Sequence, residues 1–249
     1  MSYQPLAYTS INMTTFIIIS LIFFLASWVQ GVSGFGSALV AIPLLSLFID
    51  VKMAIPLCSL SSLIITTYMA VQLKKYFDRK KILPLCAGAI PGIILGATLL
   101  KTVPSKIIQT LMGTLLIAYA LYNIFFTIKP RKINYNWGYV SGFLSGSIGA
   151  AFSAGGPPTI IYTTLNYWTK DEIKATLTGF FCFNSYMVAS AHLISGLTTF
   201  TVGKYFLFSA PSVLLGTVIG SYCYRFFRRD VYLRVVFLCL VVMGIIMIL

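Results

Sequence analysis

The residues best able to do chemistry in this chain cluster in two glycine-proline breaks, each set between apolar stretches. The first runs Gly31-Val32-Ser33-Gly34-Phe35-Gly36-Ser37 and reaches Pro43. The second runs Gly146-Ser147-Ile148-Gly149-Ala150-Ala151-Phe152-Ser153-Ala154-Gly155-Gly156-Pro157-Pro158. An offset of 115 superposes them, Gly31 on Gly146, Gly34 on Gly149 and Pro43 on Pro158. Glycine and proline interrupt helices. At membrane depth an interruption leaves backbone N–H and C=O groups unpaired, which is tolerable only where they are buried in protein or line a cavity. A helix that restarts after such a break points free N–H groups and its positive dipole end at whatever fills it, and so attracts anions. A helix starting at Pro157 or Pro158 would do this from one side, and the Ala38–Ile49 segment from the other. Together they would make an anion site without a buried arginine. A matched pair of breaks in two halves is also the sequence mark of a transporter's substrate site.

Small polar residues around the breaks would complete a hydrogen-bonding shell: Gln30, Ser33, Ser37, Ser145, Ser147, Ser153 and Thr159. Each could instead bond its own helix backbone. The candidate substrate-binding set is Gln30, Gly31, Ser33, Gly34, Gly36, Ser37, Pro43, Gly146, Gly149, Ser153, Gly155, Gly156, Pro157, Pro158 and Asn184. Asn184 joins it because it lies deep in an adjoining segment and should face the protein interior. That segment also holds Ser185 and His192, and its counterpart holds Ser59, Ser61, Ser62, Thr66 and Thr67. His192 is the one histidine. It is a candidate for proton coupling, against a snorkelling or simply hydrogen-bonded residue near its segment's outer end. Close helix packing is the alternative account of the glycines. Gly142-xxx-Gly146 fits it, but the run Gly155-Gly156-Pro157-Pro158 does not.

Other chemistries find less support. Asp50, Asp78, Asp171, Glu172 and Asp230 all sit at segment ends or in loops, which favours an anionic or neutral substrate over a cation. Asp171 also reads as a helix N-cap or first-turn acid. The five cysteines contain no CxxC pair, so no metal site, disulfide framework or cofactor is expected. Gly31-Val32-Ser33-Gly34 matches the short GxSG pattern of rhomboid-like intramembrane serine proteases, with His192 as the base. The repeat weakens this alternative, since the counterpart of Ser33 is Ile148.

The elements that must hold these residues are membrane helices. The chain is 58% hydrophobic and 9% charged, where soluble domains carry about 25% charged residues. Apolar stretches fall at about 12–30, 38–49, 54–73, 82–100, 105–128, 135–153, 157–168, 172–195, 203–223 and 231–249. Most approach the roughly 20 residues a spanning helix needs. The stretches 38–49 and 157–168 are shorter, follow directly on the breaks, and read as half-helices or re-entrant arms. Residues 1–11 carry no Lys or Arg, so no cleavable signal peptide is expected there. Trp28, Trp137 and Trp168 lie near segment ends and read as interfacial anchors; Trp28, two residues before Gln30, could also wall a pocket.

The repeat extends beyond the breaks. Pro91–Gly96 resembles Pro211–Gly216 at an offset of 120, and Val51–Ala54 resembles Glu172–Ala175 at 121. The expected organisation is a first transmembrane repeat at 12–128, a basic linker at 129–134 and a second repeat at 135–249. Net charge is +13, but the charges lie in short clusters between apolar runs. That is a positive-inside pattern and not a nucleic-acid-binding stripe. Placing the basic loops 74–81, 129–132 and 225–234 in the cytoplasm leaves only Lys52, Lys101, Lys106 and Lys204 of the 18 Lys and Arg outside. With five segments per half the copies must then be inverted, with both termini outside. The predicted fold class is an all-α polytopic bundle of two inverted repeats, each with a broken helix or re-entrant hairpin.

The break leading from Gly31 to Ile42-Pro43-Leu44-Leu45, and that leading from Gly142-Phe143-Leu144-Ser145-Gly146 to Pro158, resemble the two signature breaks of the TauE/SafE sulfite exporter family. The resemblance covers nearly the whole chain. The chain departs from it at Ala150-Ala151-Phe152, where a more glycine-rich run would match better. The resemblance implies a secondary transporter of the bacterial inner membrane that exports sulfite or an organosulfonate, coupled to protons, by alternating access. An anion channel is the alternative within transport. The expected partners are the small anion and the lipid bilayer, and a homo-oligomer is compatible with the sequence.

Overall fold

The computed structural model describes residues 13–125, 131, 133–223 and 229–248, with side chains in the last helix described only at 238 and 240–248. Lys129, Pro130, Lys132, Arg225 and Arg228, on which part of the charge argument rests, lie outside the described residues, as do residues 1–12. The described chain is all α-helical apart from one 3₁₀ turn at Lys74–Tyr76. The helices are α1 Met13–Ser33, α2 Ser37–Leu45, α3 Val51–Leu73, α4 Arg79–Thr102, α5 Ser105–Phe125, α6 Trp137–Phe152, α7 Gly156–Leu165, α8 Lys170–Ile194, α9 Phe200–Cys223 and α10 Arg229–Ile248. Six described helices are long and apolar enough to cross a membrane: α1, α3 (counted with the turn after it), α4, α5, α8 and α9. Their outer faces carry large apolar side chains such as Ile94, 65% exposed, and Leu207, 73% exposed. In water such faces would be an aggregation hazard; in lipid they are the surface.

Local sequence explains where the helices begin. Asp50 caps α3 by accepting from the Lys52 N–H at 2.7 Å, so this helix starts at Val51. Asp78 does the same for α4. The cap of α8 is Thr169, in a capping box with Glu172, so of the two roles the sequence allows Asp171 it takes that of first-turn acid and not that of cap.

Small residues set the long-range packing. Gly88, Gly92 and Gly96 of α4 face the carbonyls of Tyr139, Phe143 and Ser147 in turn, so α4 and α6 run parallel at backbone contact. Gly216 and Gly220 of α9 face the carbonyls of Phe24 and Trp28, so α9 and α1 also run parallel. Lipid tails are as apolar as leucine, so such van der Waals contact is a main source of helix association in a bilayer. The two pairs match contact for contact. Phe24, Trp28 and Gly31 are offset by 115 from Tyr139, Phe143 and Gly146, while Gly88, Ala89 and Gly92 are offset by 128 from Gly216, Thr217 and Gly220. The correspondence between α4 and α9 is therefore 128 and not the 120 suggested by Pro91 and Pro211.

Two further pairs run antiparallel. α3 meets α8 through Ser59 with His192, Thr66 with Ser185 and Thr67 with Tyr186. α5 meets α10 where Gly113 faces Gly244 and Lys106 Nζ donates to the Ile248 carbonyl. The short helix α7 folds back on α6. Ser141 Oγ donates to the Pro158 carbonyl at 3.0 Å, Ser145 bonds Thr159, and Gly149 abuts Gly155. Segment 157–168 is thus the second arm of a hairpin. The helix α2 packs on α1 and α3.

Candidate functional site

A cavity of about 70 Å³ lies between the two breaks, with walls from α3 and α8. It holds a few water molecules or one small ion. From the first break it is lined by Gln30, Phe35, Gly36, Ser37, Ala38 and Leu39. From the second it is lined by Gly149, Ser153, Ala154, Gly155 and Gly156. Ser59, Ser62 and Thr66 come from α3, and Phe181, Asn184, Ser185 and Val188 from α8.

Glycine builds the first side. α1 ends at Ser33, whose hydroxyl donates to the Val29 carbonyl at 2.8 Å. Gly34 and Gly36 then take φ of 87° and 97°, the left-handed region that side chains disfavour. This turn starts α2 with Gly36 as N-cap and no side chain capping from that position. Gln30 fills the role from α1: its Oε1 accepts the Ser37 N–H at 3.2 Å. The N–H groups of Ala38 and Leu39, in the first turn of α2, have no helical acceptor and belong to cavity-lining residues.

The second side is poorer in donors. α7 begins at Gly156, with Gly155 as N-cap and prolines at the next two positions. Proline has no N–H. The expectation of free N–H groups from Pro157 and Pro158 is therefore corrected: only Gly155 and Gly156 can donate from this terminus. The prolines serve α7 by fixing φ in its first turn. Pro158 also gives its carbonyl to Ser141.

Eight of the candidate residues line the cavity: Gln30, Gly36, Ser37, Gly149, Ser153, Gly155, Gly156 and Asn184. Gly31 and Gly146 do not. A Cβ on Gly31 would fall 2.7 Å from the Thr217 carbonyl oxygen, and one on Gly146 would fall 2.5 Å from that of Ala89. They are helix-crossing positions, as the packing account has it. Ser33, Gly34, Pro43, Pro157 and Pro158 shape the turns and half-helices without forming the wall. Phe35, Phe181 and Val188 carried no sequence signal, because apolar residues facing a cavity resemble those facing lipid.

Asn184 is 8% exposed, and its Oδ1 has no hydrogen-bond partner. A buried polar atom without a partner costs about 1–3 kcal/mol. His192 is fully buried and not snorkelling. Its Nε2 lies 2.8 Å from the Ala150 carbonyl and its Nδ1 lies 3.1 Å from Ser59 Oγ. The carbonyl can only accept, so Nε2 carries a hydrogen. Both ring nitrogens are thus engaged away from Ser33, and the dyad that a serine protease would need is not formed. Among the described residues no cluster of His, Cys, Asp or Glu could hold a metal ion.

The cavity is flanked by two half-helix termini and lined by glycine, serine and amides, with room for a small polar solute. Residues 19–247 match the family described as Sulfite exporter TauE/SafE. The chain belongs to that family. As a TauE/SafE protein with six helices able to cross a membrane among its described residues, it is a multi-pass membrane protein of a transporter family. No curated protein and no solved structure is detectably similar to it.

Proposed function

We propose that this TauE/SafE chain is a secondary transporter that exports sulfite or a related sulfur oxyanion across the bacterial inner membrane, coupled to protons. The observation that carries the reading is the cavity itself: α2 and α7 both begin at it, and helix N-termini favour anions. Sulfite is the substrate the family's description names.

The halves are read as inverted repeats at 12–128 and 135–249, joined by the linker 129–134. The duplicated contacts of α1 with α9 and of α6 with α4 support this. So does direction, because the counterparts α3 and α8 run antiparallel, as do α5 and α10. Equivalent helices that oppose one another along the bundle axis are what inversion requires. Alternating access then follows as rocking of one half against the other around the cavity.

The cytoplasmic end is the one that carries loop 74–81. Lys81 pairs there with Glu172 and lies 5.0 Å over the ring of Trp168. The Arg131 N–H donates to the Leu165 carbonyl, which brings the linker to the foot of α7. The opposite end collects Asp50, Lys52, Lys101 and Ser105. That sorting agrees with a positive-inside orientation.

The test is sulfite flux in vesicles reconstituted with the purified protein. A transporter gives saturable flux that runs uphill under a pH gradient. Flux that neither saturates nor accumulates would make the protein an anion channel, and absence of anion flux would refute the reading.

A further inference from the structure

The cavity has two chemically different walls, and together they specify more than negative charge. One wall donates. It consists of the Ala38 and Leu39 N–H groups of α2 and the Gly156 N–H group of α7. The other, from α3, α8 and Ser153 at the end of α6, accepts. Ser62 Oγ donates to the Cys58 carbonyl at 2.8 Å, and Ser153 Oγ donates to the Ile55 carbonyl at 2.9 Å. Thr66 and Ser185 bond each other at 2.8 Å, and each also reaches a carbonyl of its own helix. A hydroxyl has one hydrogen and two lone pairs. With those hydrogens used inside the protein, these groups face the cavity as acceptors. Asn184 Oδ1 adds one more, buried and without any partner, while the Nδ2 of the same amide lies against Gly149.

A fully ionised oxyanion would satisfy the donor wall and press its remaining oxygens on the lone pairs of the other. No Lys, Arg, His, Asp or Glu is among the described residues lining the cavity, so nothing there neutralises a second negative charge. Titratable side chains beside the lining are His192, behind Ser59, the thiols of Cys58 and Cys182, and Tyr186, which bonds Thr67.

We propose that the ligand is a monoanion that keeps one acidic O–H, a hydrogen oxyanion such as hydrogen sulfite, and that this O–H donates to Asn184 Oδ1. This rests on the reading of the cavity as the anion site, and it narrows the substrate from sulfur oxyanions in general to their protonated form. The proton then crosses on the substrate. Moving one hydrogen oxyanion moves one dianion and one proton in the same direction, so flux responds to a pH gradient through the substrate itself, drawing total sulfite to the more alkaline side, and needs no titrating side chain in the cavity.

The test is equilibrium binding to the purified protein across the second ionisation of sulfurous acid, with sulfite and with methanesulfonate, which has no O–H to lose. The expected result is sulfite affinity that falls with rising pH in proportion to the hydrogen sulfite fraction. Methanesulfonate should bind with an affinity that does not change with pH, about tenfold or more weaker than sulfite at pH below that ionisation, because Asn184 Oδ1 stays unpaired. In Asn184→Leu the preference for sulfite over methanesulfonate should disappear. Equal binding of the two anions below that ionisation, where hydrogen sulfite dominates, or sulfite affinity that is flat or rises with pH, would overturn the proposal and leave the anion site standing. A parallel fall for methanesulfonate would also overturn it, by tracing the pH dependence to a protein group. Failure of both anions to bind at any pH would instead remove the anion site itself.

Discussion

The side-chain Oε1 of Gln30 accepts the backbone N–H of Ser37 at 3.2 Å, so the first half-helix of this chain begins against a neutral amide. The pair joins the end of α1 to the start of α2 across a turn of two left-handed glycines. It caps one donor of the helix terminus and leaves the next two for a ligand. A carboxylate at this position would cap the terminus equally well and supply the negative charge itself. Gln30→Glu should therefore lower anion affinity by at least about tenfold and also lower the melting temperature, since Gln30 is 6% exposed and burying a carboxylate there costs more than the about 0.3–1 kcal/mol a helix N-terminus returns. Titration calorimetry beside a thermal melt checks both halves. Unchanged affinity in Gln30→Glu would separate α2 from the binding site.

The crossings of α1 with α9 and α4 with α6 should respond alike to the same insult. A Cβ on Gly31 or Gly146 meets a carbonyl of the facing helix at 2.7 Å or 2.5 Å, and backbone cannot move aside as a side chain can. Overpacking costs about 1–3 kcal/mol. Gly31→Val and Gly146→Val should each lower stability by that amount, with selectivity among anions retained in the fraction that folds. Thermal unfolding in detergent measures this. A large loss in one variant and none in the other would contradict the matched contacts on which the inverted-repeat reading rests.

His192 bridges α3 and α6 through Ser59 and the Ala150 carbonyl. If the proton travels on the substrate, His192 holds helices together and does not titrate during transport. His192→Gln, which keeps an amide able to donate and accept, should retain sulfite flux driven by a pH gradient, at a stability cost of about 1 kcal/mol. His192→Phe should cost about 1–3 kcal/mol more by leaving the Ala150 carbonyl unpaired. Proteoliposome flux with and without an imposed gradient decides the matter. Loss of gradient-driven flux in His192→Gln, with exchange of unlabelled for labelled sulfite intact, would assign the coupled proton to His192.

Much of this fold can be read from residue type alone. Gly34, Gly36, Gly155 and Pro157 at membrane depth announce broken helices, because no continuous helix accommodates them. Gln30, Ser37 and Asn184 announce an interior polar lining, because lipid would not accept them. What cannot be read is set by partners distant in sequence. The return of α7 along α6 depends on Ser141 and Ser145 meeting Pro158 and Thr159. The offset between α4 and α9 is fixed by which glycines meet which carbonyls. Pro91 and Pro211 match in the sequence by composition only. Phe35 and Phe181 line the cavity, yet nothing local distinguishes them from the phenylalanines that face lipid. The paired prolines after Gly156 signalled a helix start correctly, while the absence of an N–H from each went against the donor count that the same start suggested.

The central claim is that the cavity between the breaks is where the anion sits, and Gly156 tests it most directly. A Cβ there would lie 3.5 Å from Ile160 Cδ1 and 3.8 Å from Phe181 Cζ, ordinary contact, so the backbone tolerates a side chain. Gly156→Ala should behave as the parent does, while Gly156→Leu projects a large apolar group into a cavity of about 70 Å³. The measurement is the thermal shift of each purified protein with sulfite, sulfate, thiosulfate, sulfoacetate, taurine, acetate and chloride. A ligand that binds only the folded state at 100 times its Kd adds about 2.7 kcal/mol of apparent stability. The account predicts a selective shift with sulfite in the parent and in Gly156→Ala, and none in Gly156→Leu, whose melting temperature without ligand is unchanged. A sulfite shift of the same size in Gly156→Leu would contradict it.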